Sequence, residues 1–142
     1  MISKSRFNLP LAVATAGALL IATGLAIAGD SKVSLSGADE VPAVTTSATG
    51  AGTITVGADK SVSGSITTKG IVGTVAHVHL GAPGKNGPPV ITLAKTSDGV
   101  WSVPEGSKLT DEQYASYKAG DLYVNIHSAE HKGGEIRAQL KP

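Results

Sequence analysis

The feature that most constrains the fold is a series of short segments in which apolar and polar residues alternate, separated by turns rich in glycine and proline. Alternation with a period of two is typical of a β-strand buried on one face. Short strands separated by such turns are typical of antiparallel sheets. We therefore expect an all-β protein, an antiparallel Greek-key-like β-sandwich or barrel. The predicted strands cover residues 32–36, 53–56, 61–66, 74–80, 90–93, 122–127 and 135–140, with a further short one after the turn at 98–101.

One segment carries the signals of a helix instead. Thr110 and Gln113 have the spacing of a capping box, in which each residue satisfies a free backbone N–H of the other. Gly120 supplies a residue suited to the left-handed conformation that ends a helix. These signals predict one short helix, at about residues 111–119.

The N-terminal segment is expected to be a signal peptide rather than part of the domain. Lys4 and Arg6 form a basic start, residues 9–27 are almost wholly apolar or small, and the segment ends in Ala26-Ile27-Ala28. A basic start, an apolar centre and a small-x-small end are the features of a cleavable signal peptide. We expect residues 1–28 to be removed, leaving one domain of residues 29–142 in the periplasm or outside the cell. An uncleaved membrane anchor is the alternative, because the apolar run is nearly long enough to span a bilayer.

Sulfur ligands are absent from the predicted domain, which excludes several kinds of metal centre. The chain has no cysteine, and its single methionine is Met1. A blue-copper site and an iron–sulfur cluster both need thiolate ligands and are therefore excluded. Without Lys4 and Arg6 the chain has ten basic and eleven acidic side chains and no basic run, so we expect no nucleic-acid binding.

All four histidines fall into two short motifs, and together they predict a metal site. His77 and His79 are spaced as His-x-His in a predicted strand, so both side chains point to the same face. His127 ends another predicted strand, and His131 follows after a short turn. Imidazole nitrogens on neighbouring strands can converge on one ion at about 2.0–2.1 Å. The alternative is that these are surface histidines on the polar face of a sheet.

The ligand type suggests which metal the site would bind. Imidazole ligands without sulfur suit Cu(II) or Zn(II), and copper has the higher intrinsic affinity. Tyr123 and Asn125 share the outward parity of His127 and are expected to line the site, although Tyr123 would fit packing against the helix equally well. Arg137 is placed to draw an anion towards the ion.

The motifs also resemble those of a known family. Leu35-Ser36-Gly37-Ala38-Asp39-Glu40-Val41-Pro42, Ala76-His77-Val78-His79-Leu80-Gly81, Tyr123-Val124-Asn125-Ile126-His127-Ser128 and Gly133-Gly134-Glu135-Ile136-Arg137 are similar, in order, to those of the chordin-type (CHRD) domain. The resemblance covers the predicted domain and implies a secreted or periplasmic β-sandwich. The His-Val-His strand is also similar to the copper-binding strand of copper–zinc superoxide dismutases, which implies histidine-bound copper on a Greek-key barrel.

These observations lead to two hypotheses about function. The first is an exported protein that binds copper through His77, His79, His127 and His131. If it is an enzyme, we expect it to catalyse superoxide dismutation, with Arg137 guiding the anion. The second is an extracellular or periplasmic interaction module with a structural zinc ion or no metal. Whether a homodimer shares the ion is left open.

Overall fold

The structure, a computed structural model, describes residues 29–142. The predicted signal peptide, residues 1–28, lies outside this part of the chain. The described residues form eight strands, one 3-10 turn at Gly37–Asp39 and one α-helix. The strands are β1 (Gly29–Leu35), β2 (Thr49–Val56), β3 (Val62–Lys69), β4 (Gly73–Leu80), β5 (Pro89–Ser97), β6 (Val100–Ser102), β7 (Leu122–Ser128) and β8 (Ile136–Gln139), and the helix α1 is Asp111–Ala119.

All strand pairs are antiparallel, and the strands form one sheet in the order β1-β2-β3-β6-β5-β4-β7-β8. Strands β4, β5 and β6 follow one another as neighbours, and β3 lies beside β6, which is a Greek-key arrangement. The sheet curls until its two ends meet, where Ser36 and Arg137 exchange backbone hydrogen bonds of 3.1 and 3.0 Å. The prediction of an all-β, Greek-key-like barrel or sandwich is therefore confirmed.

The core fills the inside of this curved sheet. Its most buried side chains come from alternating positions of the strands, as in Ile54, Ile66, Val78, Val124 and Ile126, each at most 1% exposed. Alternation places every second residue of a strand on the inner face. The residues between them therefore lie on the outer face, and on β4 and β7 that face carries His77, His79 and His127.

The helix forms at the predicted position for the predicted reason. The side chain of Thr110 accepts a hydrogen bond from the backbone N–H of Gln113, and the Gln113 side chain accepts one from the backbone N–H of Thr110. Gly120 follows in the left-handed conformation, with φ of 82°. Within residues 29–142, no helix is long and apolar enough to cross a membrane.

Strand β7 differs from the half-buried strand that its alternation predicts, because all seven of its residues are buried. The inner face packs in the core, and three segments cover the outer face: the 3-10 turn with Glu40, the loop 81–88 and the loop 129–135. These segments are held by hydrogen bonds to the outward side chains, described below. Because β7 is buried on both faces, its outward polar side chains are also enclosed by protein.

Candidate metal centre

Strand register brings two predicted histidine motifs together on the outer face. In the pairing of β4 with β7, His77 lies opposite Asn125, His79 opposite Tyr123 and Val75 opposite His127. The inner face of β4 is apolar, with Ala76 and Val78 almost completely buried. Strand pairing therefore forces three imidazoles into one small area of the sheet.

His77, His79 and His127 form a compact group that could hold a metal ion. Each offers one ring nitrogen, and the three nitrogens lie within 4.8 Å of one another. The ring centroids are 5.3 Å apart for His77 and His79, 5.1 Å for His77 and His127, and 6.0 Å for His79 and His127. His79 and His127 are buried, and His77 is half-buried, so the group opens to solvent on the His77 side.

Backbone carbonyls select the ring nitrogen that two of these histidines offer. Nδ1 of His79 lies 2.8 Å from the carbonyl oxygen of Gly87, and Nδ1 of His127 lies 2.8 Å from that of Lys132. A carbonyl oxygen can only accept, so both Nδ1 atoms carry the proton and donate. Both Nε2 atoms are then left with a free lone pair. Metal-binding histidines are usually oriented by this kind of bond.

His77 completes the group through its Nδ1, which lies 3.2 Å from Nε2 of His127. In the metal-free protein this contact is a hydrogen bond in which His77 donates, because the Nε2 of His127 carries no proton. The distance is also close to the separation of about 3.3 Å between two nitrogens that each bind one tetrahedral ion at about 2.0–2.1 Å. His77 and His127 are therefore already spaced for a shared ion, which His77 would bind with its ring proton on Nε2 instead of Nδ1.

Nε2 of His79 is a buried polar atom that has no hydrogen-bond partner among the described residues. A buried acceptor left without a partner costs free energy, about 1–3 kcal/mol. A metal ion held by this lone pair would remove that cost. The unpartnered nitrogen, together with the all-imidazole donor set, shows that these residues fit a transition-metal ion.

Burial also keeps the ligands in the form that binds a metal. It is the main cause that lowers the pKa of His77 and of His79 from the ordinary value of 6.5. For His77 the neighbouring rings of His127 and His79 lower the pKa further. For His79 the Gly87 carbonyl acts in the opposite direction but does not outweigh burial. Both rings are therefore neutral at pH 7.

His131, the fourth predicted ligand, lies outside this group within the described residues. Its backbone N–H donates to the Ser128 hydroxyl, and its carbonyl accepts from the N–H groups of Ser128 and Gly134. These bonds close the loop 129–135 as a tight turn. His131 is half-buried and lines a surface cavity of about 460 Å³ that also includes Glu40.

Arg137, predicted to guide an anion, is 1% exposed. Its guanidinium lies 3.4 Å above the ring of Tyr123, whose other face stacks on His79 with the ring centroids 4.7 Å apart. The guanidinium also donates to the carbonyl of Lys85 at 2.8 Å and to the side chain of Asn86 at 3.3 Å. Arg137 thus supports His79 through Tyr123 and holds the loop 81–88. Anion guidance by Arg137 stays a prediction.

Tyr123 and Asn125 lie beside the histidines, as their parity predicts. The Tyr123 hydroxyl accepts a hydrogen bond from the backbone N–H of Gly87, which orients the same residue whose carbonyl binds His79. Asn125 is 2% exposed and donates to Glu40 and to the carbonyl of Gly133. Burial raises the pKa of Glu40, and the Asn125 bond and the charge of Arg137 oppose that effect.

Sequence patterns do not identify three of the groups that shape this centre. Glu40 lies two residues before Pro42 in an irregular segment, where no periodicity assigns it to a face. The carbonyls of Gly87 and Lys132 belong to loops, and a carbonyl leaves no signal in residue type. The one signal in the sequence is the glycine at position 87. The loop passes so close to β4 there that a Cβ on residue 87 would overlap the carbonyl oxygen of Leu80.

Comparison with known protein families gives a match over most of the chain. The family model described as "CHRD domain" matches residues 31–140, which include every strand from β2 to β8 and all of the centre described above. No curated protein and no solved structure matches the chain.

Proposed function

The chain belongs to the CHRD domain family, and from that premise we propose that this protein binds one copper ion through His77, His79 and His127. The observation that carries the proposal is the unpartnered Nε2 of buried His79 beside two further imidazole nitrogens. Three imidazoles without sulfur suit Cu(II), which has the highest affinity for such ligands among the common divalent metals.

The arrangement supports an open coordination position. Three protein ligands leave at least one position of a four-coordinate ion for water or a small molecule. The half-buried His77 faces the side from which such a molecule would enter. Bound copper would supply one-electron redox chemistry, and superoxide dismutation is the reaction that we propose to assay. His79 and His127 hold the ion, and the carbonyls of Gly87 and Lys132 keep their rings in the required tautomer.

A structural zinc ion is a second candidate, and the loop contacts favour it. His79 and His127 are fastened to the loops 81–88 and 129–135 through Gly87 and Lys132. An ion on these rings would tie both loops to the sheet. In this case the metal would raise the melting temperature, and the zinc-loaded protein would have no redox activity.

We also propose that residues 1–28 direct export of the protein to the periplasm or the medium. The basic start, apolar centre and small-residue end of this segment support the proposal. Mass spectrometry of the protein recovered from these fractions should give an N-terminus at Gly29. Recovery of the full-length chain in the membrane fraction would contradict cleavage.

Single histidine variants test the metal site. His79→Ala and His127→Ala should each weaken Cu(II) binding at least 100-fold in a calorimetric titration at pH 7.5, because each removes a ligand. His131→Ala is the matched control, since this histidine lies outside the group, and it should bind Cu(II) as the wild type does. Equal binding by all four proteins would contradict the proposal.

A further inference from the structure

Asn125 lies in the centre of the polar outer face with an unusual set of contacts. It is 2% exposed, and its register neighbours are His77 on β4 and Arg137 on β8. Its side-chain Nδ2 donates to Oε1 of Glu40 and to the carbonyl oxygen of Gly133, both at 3.4 Å. In the part of the chain that the structure describes, its Oδ1 has no hydrogen-bond partner.

The orientation of this amide is determined by its neighbours. The carbonyl of Gly133 can only accept, so the atom that faces it must be the donor Nδ2. Rotating the amide by 180° would turn Oδ1 towards that carbonyl and towards the Glu40 side chain, and two acceptors would then repel. Oδ1 therefore points away from both of these acceptors.

Strand register places Asn125 among the three histidines. It lies opposite His77 on β4, two residues before His127 on β7 and diagonal to His79, and all four side chains are on the outer face. Nε2 of His79 and Oδ1 of Asn125 are both buried and have no hydrogen-bond partner within residues 29–142. Because the Gly87 carbonyl holds the proton of the neutral His79 ring on Nδ1, two buried acceptors share this face without a donor. Two such lone pairs are the surroundings that a cation requires.

We infer that Oδ1 of Asn125 is the fourth protein ligand of the metal ion. The protein ligands would then be Nδ1 of His77, Nε2 of His79, Nε2 of His127 and Oδ1 of Asn125, three nitrogens and one oxygen. The open position proposed above would be the fifth position of the ion. Such a mixed nitrogen and oxygen set suits the tetragonal geometry of Cu(II). This inference rests on the proposed metal binding and adds a ligand that the histidine motifs do not include.

The amide ligand also explains why Asn125 is held so firmly. Glu40 and Gly133 anchor the Nδ2 end, and they come from two different covering segments. Groups that hold a ligand in place commonly change metal affinity by about 10–100-fold when they are removed. Loss of the ligand atom itself should have at least that effect.

The experiment compares Asn125→Ala with Gln139→Ala, each loaded with Cu(II) alone. Gln139 is a matched control, because it also carries an amide on the outer face of the sheet, on the neighbouring strand β8. It donates to the carbonyls of Gly81 and Gly120, not to the groups that Asn125 contacts. Asn125→Ala should raise the dissociation constant for Cu(II) at least 10-fold. It should also change the parallel g value and copper hyperfine splitting in electron paramagnetic resonance. Pulsed experiments should still count three imidazoles, and Gln139→Ala should match the wild type.

A measurement on the wild-type protein covers the case in which Asn125→Ala does not fold. On titration with Zn(II), the side-chain carbonyl 13C resonance of Asn125 should shift by more than 1 ppm, while that of Gln139 stays in place. Wild-type affinity and spectra in folded Asn125→Ala, or an unshifted Asn125 carbonyl, would overturn the inference while leaving the three histidines as ligands. A wild-type protein with no imidazole-bound copper would instead overturn the proposed function, and this inference with it.

Discussion

At His79, one hydrogen bond decides which ring nitrogen is available to a metal ion. The Gly87 carbonyl holds the proton on Nδ1 and leaves the lone pair of Nε2 on the side of the other two histidines. Tyr123 stacks on the same ring and receives a hydrogen bond from the N–H of Gly87. One loop residue therefore orients both the ligand and the aromatic ring that packs on it.

Gly134 is the position in the loop 129–135 where a side chain is least tolerated. Its φ is 125°, a conformation that other residues rarely adopt, and a Cβ there would overlap Nδ2 of Asn125 and Oε1 of Glu40. Strain and overlap together should make Gly134→Ala less stable than the wild type by at least about 1–3 kcal/mol in urea unfolding.

The adjacent glycine provides the control for this prediction. A Cβ on Gly133 would meet no atom within 4 Å, and its φ is not positive. Gly133→Ala should therefore unfold within about 0.5 kcal/mol of the wild type. If both variants were equally stable, the loop would not be packed against Asn125 and Glu40 as described.

Among the elements, α1 tests how far local signals determine structure. The Thr110 side chain satisfies the N–H of Gln113 at 3.2 Å, and Gln113 returns a bond of 2.9 Å. Thr110→Ala should reduce the free energy of unfolding by about 1 kcal/mol, because it leaves a donor of the first turn without its partner. Thr110→Ser, which keeps the hydroxyl, should stay within about 0.5 kcal/mol of the wild type. Equal loss in both variants would contradict a role for the hydroxyl.

The sequence predicts elements whose signals are local and misses arrangements that depend on distant segments. The bounds of α1 follow from Thr110, Gln113 and Gly120, all within eleven residues, and the structure confirms them. The alternation in β4 correctly assigns Ala76 and Val78 to the core. No local pattern indicates that β7 is also buried on its outer face, because that depends on loops held by side chains on three different strands.

The candidate site shows the same division. His77 and His79 can be paired from their spacing, and a common area with His127 follows once β4 and β7 are neighbours. Asn125 is recognised from its parity as a residue of the same face. The position of His131 depends on how the turn after Ser128 closes, and its backbone bonds to Ser128 keep it outside the group.

For the whole molecule, the closed sheet places the site outside the barrel. The core inside the sheet consists of apolar side chains, which offer no metal ligands. The outer wall formed by β4, β7 and β8 carries the histidines, and the segments around Glu40, 81–88 and 129–135 cover it. Stability of this part should therefore depend on pH through the buried imidazoles.

The direction of that dependence follows from the pKa of His77 and His79. Burial lowers both below the unfolded value of 6.5, so the unfolded chain takes up protons first as the pH falls. These two histidines should make the metal-free protein progressively less stable below about pH 6.5, down to their folded-state pKa values. Glu40 has the opposite effect on stability, because burial raises its pKa and the folded protein takes up that proton first as the pH falls. The contribution of the two histidines to the pH dependence of stability is therefore measured as the difference between the wild type and the double variant His77→Ala, His79→Ala.

In this comparison, the melting temperature of the wild type should fall more than that of the double variant between pH 7.5 and 5. Parallel curves would contradict the burial of neutral rings. Cu(II) affinity should weaken over the same range, because protonated imidazole cannot bind a metal. Flat affinity from pH 7.5 to 5 would argue against histidine ligands.

The central claim is that three imidazoles of one chain bind a single metal ion. The most direct test is pulsed electron paramagnetic resonance of residues 29–142 loaded with one equivalent of Cu(II), which counts the imidazole nitrogens on the copper. The geometry of His77, His79 and His127 predicts three, and the count should fall to two in His127→Ala. A count of none or one in the wild type, or a count that is unchanged in His127→Ala, would contradict the claim.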